Sequence, residues 1–230
     1  AASDVYKRQI GESMKQILII GMGRFGRHIA RKLNDLDIQV LGIDNDEDKV
    51  REVLPYVTNA EVGDATNQDF LKTLGLKNFD VCIVAVGDNF LASLEITSYL
   101  KELGARKVVS RAARDTQEKF LLRNGADAVV YPEKLMGNLT AMRYSSDNVF
   151  DYIQIGKDFA VFEIAVPNEW LGKTIGQVDV RKHYNINIIA IKKNDDISVT
   201  PGASHVLNSE ESLLVLGKDK DIRSAFHILG

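Results

Sequence analysis

An apolar run, Ile17-Leu18-Ile19-Ile20, passes directly into Gly21-Met22-Gly23-Arg24-Phe25-Gly26, and the residues that follow carry helical spacing. A glycine triplet spaced this way at a strand-to-helix junction admits few solutions. Gly21 permits a tight turn, Gly23 lets backbone amides come close to an anion, and Gly26 lets the new helix pack against the sheet. A phosphate placed there meets the helix N-terminus, whose unpaired N–H groups and dipole favour negative charge. Asp44 completes the pattern at the end of the next apolar run, 18 residues beyond Gly26. A carboxylate there accepts hydrogen bonds from ribose hydroxyls and repels a 2′-phosphate, which disfavours NADP. The alternative is that the glycines only shape a turn around an empty site.

From Gln16 onward short apolar runs alternate with helical patterns, which predicts βαβ units and a parallel sheet buried on both faces. Strands are expected at Ile17–Ile20, Gln39–Ile43, Asn59–Val62, Val81–Val86, Lys107–Ser110 and Ala128–Val130, with helices near Arg24–Leu36, Glu47–Leu54, Asn67–Leu74, Asn89–Leu103 and Thr116–Asn124. The fold class that follows is α/β, a Rossmann-type doubly wound parallel sheet with a second, smaller α+β domain. A helix from Pro132 to about Ser145 leaves the sheet as a connector. Beyond it, Ala160–Val166, Asn187–Lys192 and Leu213–Gly217 read as strands, and Asp219–Leu229 as a closing helix. The expected division is 1–13 as a leader or appended remnant, with Met14 as the native start, 14–131 as the nucleotide domain, 132–150 as the crossover helix and 151–230 as the second domain.

Composition narrows the function. The formal net charge is −3 with both signs interspersed, so no basic field invites nucleic acid. No apolar stretch approaches the roughly 20 residues of a membrane span, so a cytosolic protein that meets a membrane through a partner is expected. The one cysteine, Cys82, lies in the apolar run Val81–Val86 and reads as a buried strand thiol.

Residues expected at the carboxyl edge of the sheet, where open α/β sheets bind ligands, supply the candidate contacts. They are Gly21, Met22, Gly23, Arg24, Phe25 and Gly26 in the glycine loop, Asp44 and Asn45 after the second strand, Asp64 and Ala65 after the third, and Val86, Gly87 and Asn89 after the fourth. Arg111, just past the fifth strand, joins Arg24 as a phosphate contact; for each the bland alternative is a solvated surface charge. Asp64 is also a common kind of residue to cap the helix that follows it, and the two roles are compatible.

Taken together, Ile20-Gly21-Met22-Gly23-Arg24-Phe25-Gly26, Gly63-Asp64-Ala65-Thr66, Val84–Asn89, Gly125-Ala126-Asp127, Tyr131-Pro132-Glu133-Lys134, Ile188–Ile191 and Thr200-Pro201-Gly202 resemble the RCK (regulator of potassium conductance) or TrkA-type potassium-uptake regulators. The single-repeat KtrA-like subunits are the nearest pattern, from Met14 onward. The resemblance implies an N-terminal nucleotide domain, a swapped helical arm, a TrkA-C domain, and dimers assembled into a cytosolic, octameric ring against a membrane-embedded potassium-translocating subunit. It implies ATP and ADP, or alternatively NADH and NAD, as ligands that favour different ring shapes. Carried onto this sequence, Arg24 would reach a terminal phosphate and Glu133 would help hold Mg²⁺ or Ca²⁺ at the dimer interface, although a first-turn glutamate is also ordinary helix chemistry. Relatives bind cyclic di-AMP at positions resembling Arg181, Asn187, Ile188 and Pro201; His205 departs from the acidic residue often found there.

The competing reading is an NAD-dependent oxidoreductase. Such an enzyme needs an acid or base within reach of the nicotinamide. His28, His183, His205 and His227 are scattered, and no Tyr-x-x-x-Lys pair, metal-ligand cluster, nucleophile elbow or Walker loop is present, so a non-catalytic sensor is expected. A dinucleotide-sensing transcriptional regulator would also need a DNA-binding element, and no helix-turn-helix or basic helix is visible.

Overall fold

Six parallel strands follow one another along the first part of the chain, each returned to the sheet by a helix. The computed structural model describes residues 14–228; the expectations for the leader at 1–13 and for Leu229, the last residue of the closing helix, lie outside them. The order is β1 (Gln16–Ile20), α1 (Arg24–Asp35), β2 (Gln39–Asp44), α2 (Glu47–Val53), β3 (Asn59–Val62), α3 (Gln68–Thr73), β4 (Val81–Val84), α4 (Phe90–Glu102), β5 (Val108–Arg111), α5 (Asp115–Arg123) and β6 (Ala128–Val130). The strands stand in the order β3-β2-β1-β4-β5-β6, all parallel, so the strand sequence reverses between β1 and β4. That reversal opens a crevice at the carboxyl edge, the place where such sheets take ligands.

Both faces of this sheet are packed, as a βαβ fold requires. Leu18, Ile20, Cys82 and Val84 belong to one buried cluster with Leu71, Ile96 and Leu100 from the helices, whereas Ile17, Ile19 and Val40 belong to the other with Met22 and Ala30. Burial pushes the Cys82 thiol up to about 12, which makes it an inert core group. Strand β4 ends two residues earlier than the apolar pattern predicts, because Ala85 and Val86 turn away after the Ala85 amide bonds to Ile20 O at 2.7 Å.

The chain divides into two compact units between Glu133 and Lys134, inside the first turn of α6 (Pro132–Arg143). The second unit contains β7 (Val149–Ile155), β8 (Phe159–Ala165), α7 (Ile175–Val178), α8 (Val180–Tyr184), β9 (Ile186–Lys193), β10 (Asp196–Val199), β11 (Glu211–Lys218) and α9 (Asp219–Ala225). Its strands form an antiparallel sheet in the order β10-β9-β11-β8-β7. One face rests on a core built around Phe162, Trp170 and Phe226, with Trp170 and Phe226 edge to face at 5.1 Å.

Candidate functional site

The three glycines of the loop differ in what holds them. Gly21 has φ +98°, and a Cβ there would stand 3.0 Å from the Val86 amide nitrogen; at Gly26 it would stand 2.0 Å from the Gly21 carbonyl oxygen. Both are demanded by the fold. At Gly23 a Cβ would meet nothing within 4 Å, because this residue faces the cavity. Gly23 is also the N-cap of α1 and offers no side chain to the first turn, which leaves backbone donors turned to the crevice.

Asp44 joins the loop to β2. It is 8 % exposed; its Oδ2 accepts the Met22 amide at 2.7 Å and its Oδ1 the Asp46 amide at 3.0 Å. An ionised carboxylate has about four acceptor positions, so room remains for ribose hydroxyls. The same side chain therefore braces the loop and faces the cavity. Met22 enters the site only through its amide: its side chain is buried in the core and does not line the cavity, and neither does Gly26.

The cavity, of about 610 Å³, mixes polar and apolar lining, and it gathers the remaining candidates: Gly21, Gly23, Arg24, Phe25, Asp44, Asn45, Asp64, Ala65, Val86, Gly87, Asn89, Arg111 and Glu133. That size lies within the range of small-molecule and cofactor sites. Two side chains have local duties besides. Asn89 caps α4, its Oδ1 accepting the Ala92 amide at 3.1 Å. Asp64 does not cap α3: its Oδ1 accepts the Thr66 amide and hydroxyl at 2.9 and 2.7 Å, while Asn67 caps the helix through the Asp69 and Phe70 amides. The capping expectation fails because the turn at Thr66 places Asn67, three residues later, at the helix start.

Lys49 is a lining residue that motif reading missed. Its Nζ lies 3.4 Å from Asp46 Oδ2 and 3.8 Å from Asp44 Oδ1, which sets a lysine at the β2 end of the cavity. The available signal was Asp46, which caps α2 and so places Lys49 one turn above the strand end.

At the other end stand two arginines. Arg111 Nη2 donates to Glu133 Oε1 at 2.5 Å, its guanidinium lies 5.5 Å from the centre of the Phe25 ring, and its Nε is buried without a hydrogen-bond partner among the described residues. Gly87 makes room for it, since a Cβ there would meet Arg111 Nη1 at 2.3 Å. The Glu133 carboxyl is held below its usual value by its own backbone amide, then by Arg111 and Arg24. Among the described residues no group of three or more His, Cys, Asp or Glu side chains is placed to hold a metal. Glu133, already opposite Arg111, does not by itself fit a cation.

In the second unit Arg181, Ile188 and Pro201 line one cavity of about 300 Å³ together with Ile175, Gly176 and Ala203; Asn187 is exposed on β9 and does not line it. One wall is fixed by the Gly176 amide on Ala203 O at 2.8 Å, and the segment carrying it is tied down where His205 Nε2 meets both oxygens of buried Glu211 at 3.2 Å.

A Rossmann-type crevice with a glycine loop, a carboxylate at the end of β2 and two arginines has the make-up of a nucleotide-binding protein. The chain matches the TrkA-N domain over residues 17–132 and the TrkA-C domain over 159–230, and it belongs to the family that joins these two domains. It is 40 % identical to Ktr system potassium uptake protein C of Bacillus subtilis (strain 168) over 90 % of this chain and 94 % of that protein, and 35 % identical to Ktr system potassium uptake protein A of the same organism over 91 % and 94 %. The solved structure described as the GsuK channel bound to NAD has the same fold, with a TM-score of 0.68 at 17 % identity. It is matched over 100 % of this chain, which spans 43 % of the GsuK chain.

Proposed function

We propose that the chain is a nucleotide-sensing regulatory subunit of a membrane potassium transporter or channel, acting at the cytoplasmic face and breaking no bond. The observation that carries this reading is the crevice itself: the loop, Asp44, Arg24 and Arg111 converge on it, while among the described residues no histidine, tyrosine or cysteine lines it. Similarity to two Ktr potassium uptake proteins over nearly their whole length supports the assignment to potassium. Among the described residues no helix is long and apolar enough to cross a membrane, in keeping with a separate translocating partner. Adenosine sits over β2 and β3, the phosphates meet the loop, and the two arginines at the far end favour ATP and ADP over NAD and NADH. Ligands with unequal affinity for two shapes of a self-associated dimer or octameric ring would then shift the gate of the partner.

Two further ligands belong to the reading in restricted form. Mg²⁺ or Ca²⁺ at Glu133 would need ligands from outside this chain, and no step here uses one. Cyclic di-AMP would exceed the small cavity at Arg181, Ile188 and Pro201, which sits at the lower limit for ligand sites, so a second copy would have to cover it.

The test is calorimetry with ATP, ADP and NADH on the wild type and Gly23→Asp, followed by potassium flux in vesicles carrying the translocating subunit. The variant adds a carboxylate where the cavity is open, so the fold should stay while nucleotide affinity falls about 100-fold, about 2.7 kcal/mol. Equal affinity in both proteins would remove the site assignment. Flux that ignores nucleotide would remove the regulatory one.

A further inference from the structure

The strand order sets a distance along the crevice. Asp44 ends β2, the glycine loop follows β1, Gly87 follows β4, and Arg111 ends β5. Neighbouring strands are about 4.8 Å apart, so β2 and β5 stand roughly 14 Å from each other across three spacings. A nucleoside monophosphate with its ribose at Asp44 ends at the loop, one spacing away. A chain of three phosphates reaches on toward Arg111.

Arg111 waits there half-satisfied. Packing holds its guanidinium, which lies 5.5 Å from the centre of the Phe25 ring and fills the space left by Gly87, while Nε has no hydrogen-bond partner among the described residues. It donates a charged hydrogen bond to Glu133, whose side chain is 55 % exposed where that of Arg111 is 20 % exposed. The arginine is anchored and the carboxylate is the part free to leave. A terminal phosphate carries more charge and more acceptor oxygens than a carboxylate, and it competes for the same fork of donors.

We propose that the Arg111–Glu133 ion pair is a gauge of ligand length and charge: Glu133 stands in for the terminal phosphate at Arg111 and yields only to an anion that reaches from β2 to β5. The inference rests on the adenine-nucleotide reading of the crevice and adds to it which ligands open the pair. AMP is too short to displace Glu133. NAD is long enough but brings no anion to that end. ATP is both long and anionic. Since Glu133 is the last residue of the first unit and lies in the first turn of α6, its release is reported directly at the head of that helix.

The experiment measures ATP, AMP and NAD affinities by calorimetry, in chelator and without divalent cation, on the wild type, Glu133→Gln and Arg111→Gln. Removing the internal competitor, an ion pair of the partly exposed kind, should tighten ATP binding about three- to ten-fold in Glu133→Gln and leave AMP and NAD unchanged. Arg111→Gln should weaken ATP and bring it toward AMP. Hydrogen exchange at residues 133–136 should rise on adding ATP to the wild type and stay flat with AMP. An unchanged or weakened ATP affinity in Glu133→Gln, or an equal shift for all three ligands, overturns the gauge while the nucleotide site stands. A wild type that binds none of the three overturns both.

Discussion

The two sheets of this molecule solve the same burial problem in opposite ways. In the first unit both faces of a parallel sheet are covered, and the crevice lies at the strand ends, lined by the glycine loop together with Asp44, Arg24 and Arg111. In the second, one face of an antiparallel sheet rests on large aromatic side chains, while Ile153 and Phe159 lie outside that core, 58 % and 47 % exposed. The first unit can thus lose its ligand without losing its fold. In the second, side chains that hold the fold also back the small cavity at Pro201.

The sharpest way to break this contrast is Phe162→Ala. Phe162 is fully buried and meets Tyr152 edge to face at 4.9 Å, so truncation should cost about 3–5 kcal/mol, read from denaturant unfolding. Hydrogen-exchange protection should fall in β8 and β11 while the stabilisation given by ATP to β1, β2 and β4 persists. Loss of that ATP response as well would mean that the two units do not keep separate accounts.

A finer cut runs inside the glycine loop. Gly26→Ala forces a methyl group into the Gly21 carbonyl and should destabilise the first unit by about 1–3 kcal/mol. Gly23→Ala places the same methyl group in open space and should cost under about 1 kcal/mol, the difference between glycine and alanine at an N-cap. Thermal melts of both variants without ligand settle the order. Equal melting temperatures would show that the loop relaxes around Gly26.

The same contrast explains what was legible in the sequence. The six parallel strands, the glycine loop at the end of the first and the position of Asp44 at the end of the second were readable, because they depend on local patterns: a strand end, a turn, a spacing. Two strands of the second unit were not. In β7 a register shift between Val149 and Asp151 breaks the two-residue alternation, leaving Val149 and Tyr152 as its only buried positions. In β10 all four residues are exposed, so no burial pattern exists to be read. The closing helix ends at Ala225, short of its expected length, where His227 takes a φ of 51°. Within the site, the pairing of Arg111 with Glu133 depends on contact across 22 residues, and no local pattern announces it.

The smallest effect tests a second place in the first unit where a carboxylate braces backbone, as Asp44 does at the glycine loop. Asp127 is such a place: its Oδ2 accepts the Val108 amide at 2.7 Å, and both its oxygens stand 3.0 Å from Lys101 Nζ, tying the start of β5 to the end of α4. The Val108 amide, then Lys101, holds the carboxyl below the ordinary value of 3.8. Asp127→Ala leaves the amide of fully buried Val108 without its acceptor and should cost about 1 kcal/mol near neutral pH. The sign with pH follows from linkage: the unfolded chain binds the proton more readily, so the contribution is complete above 3.8 and disappears as pH falls through the depressed native value. Denaturant curves of the wild type and the variant should therefore differ at pH 7 and converge at strongly acidic pH. A gap that persists unchanged in acid would assign the loss to packing and would leave the amide bond without a measurable role.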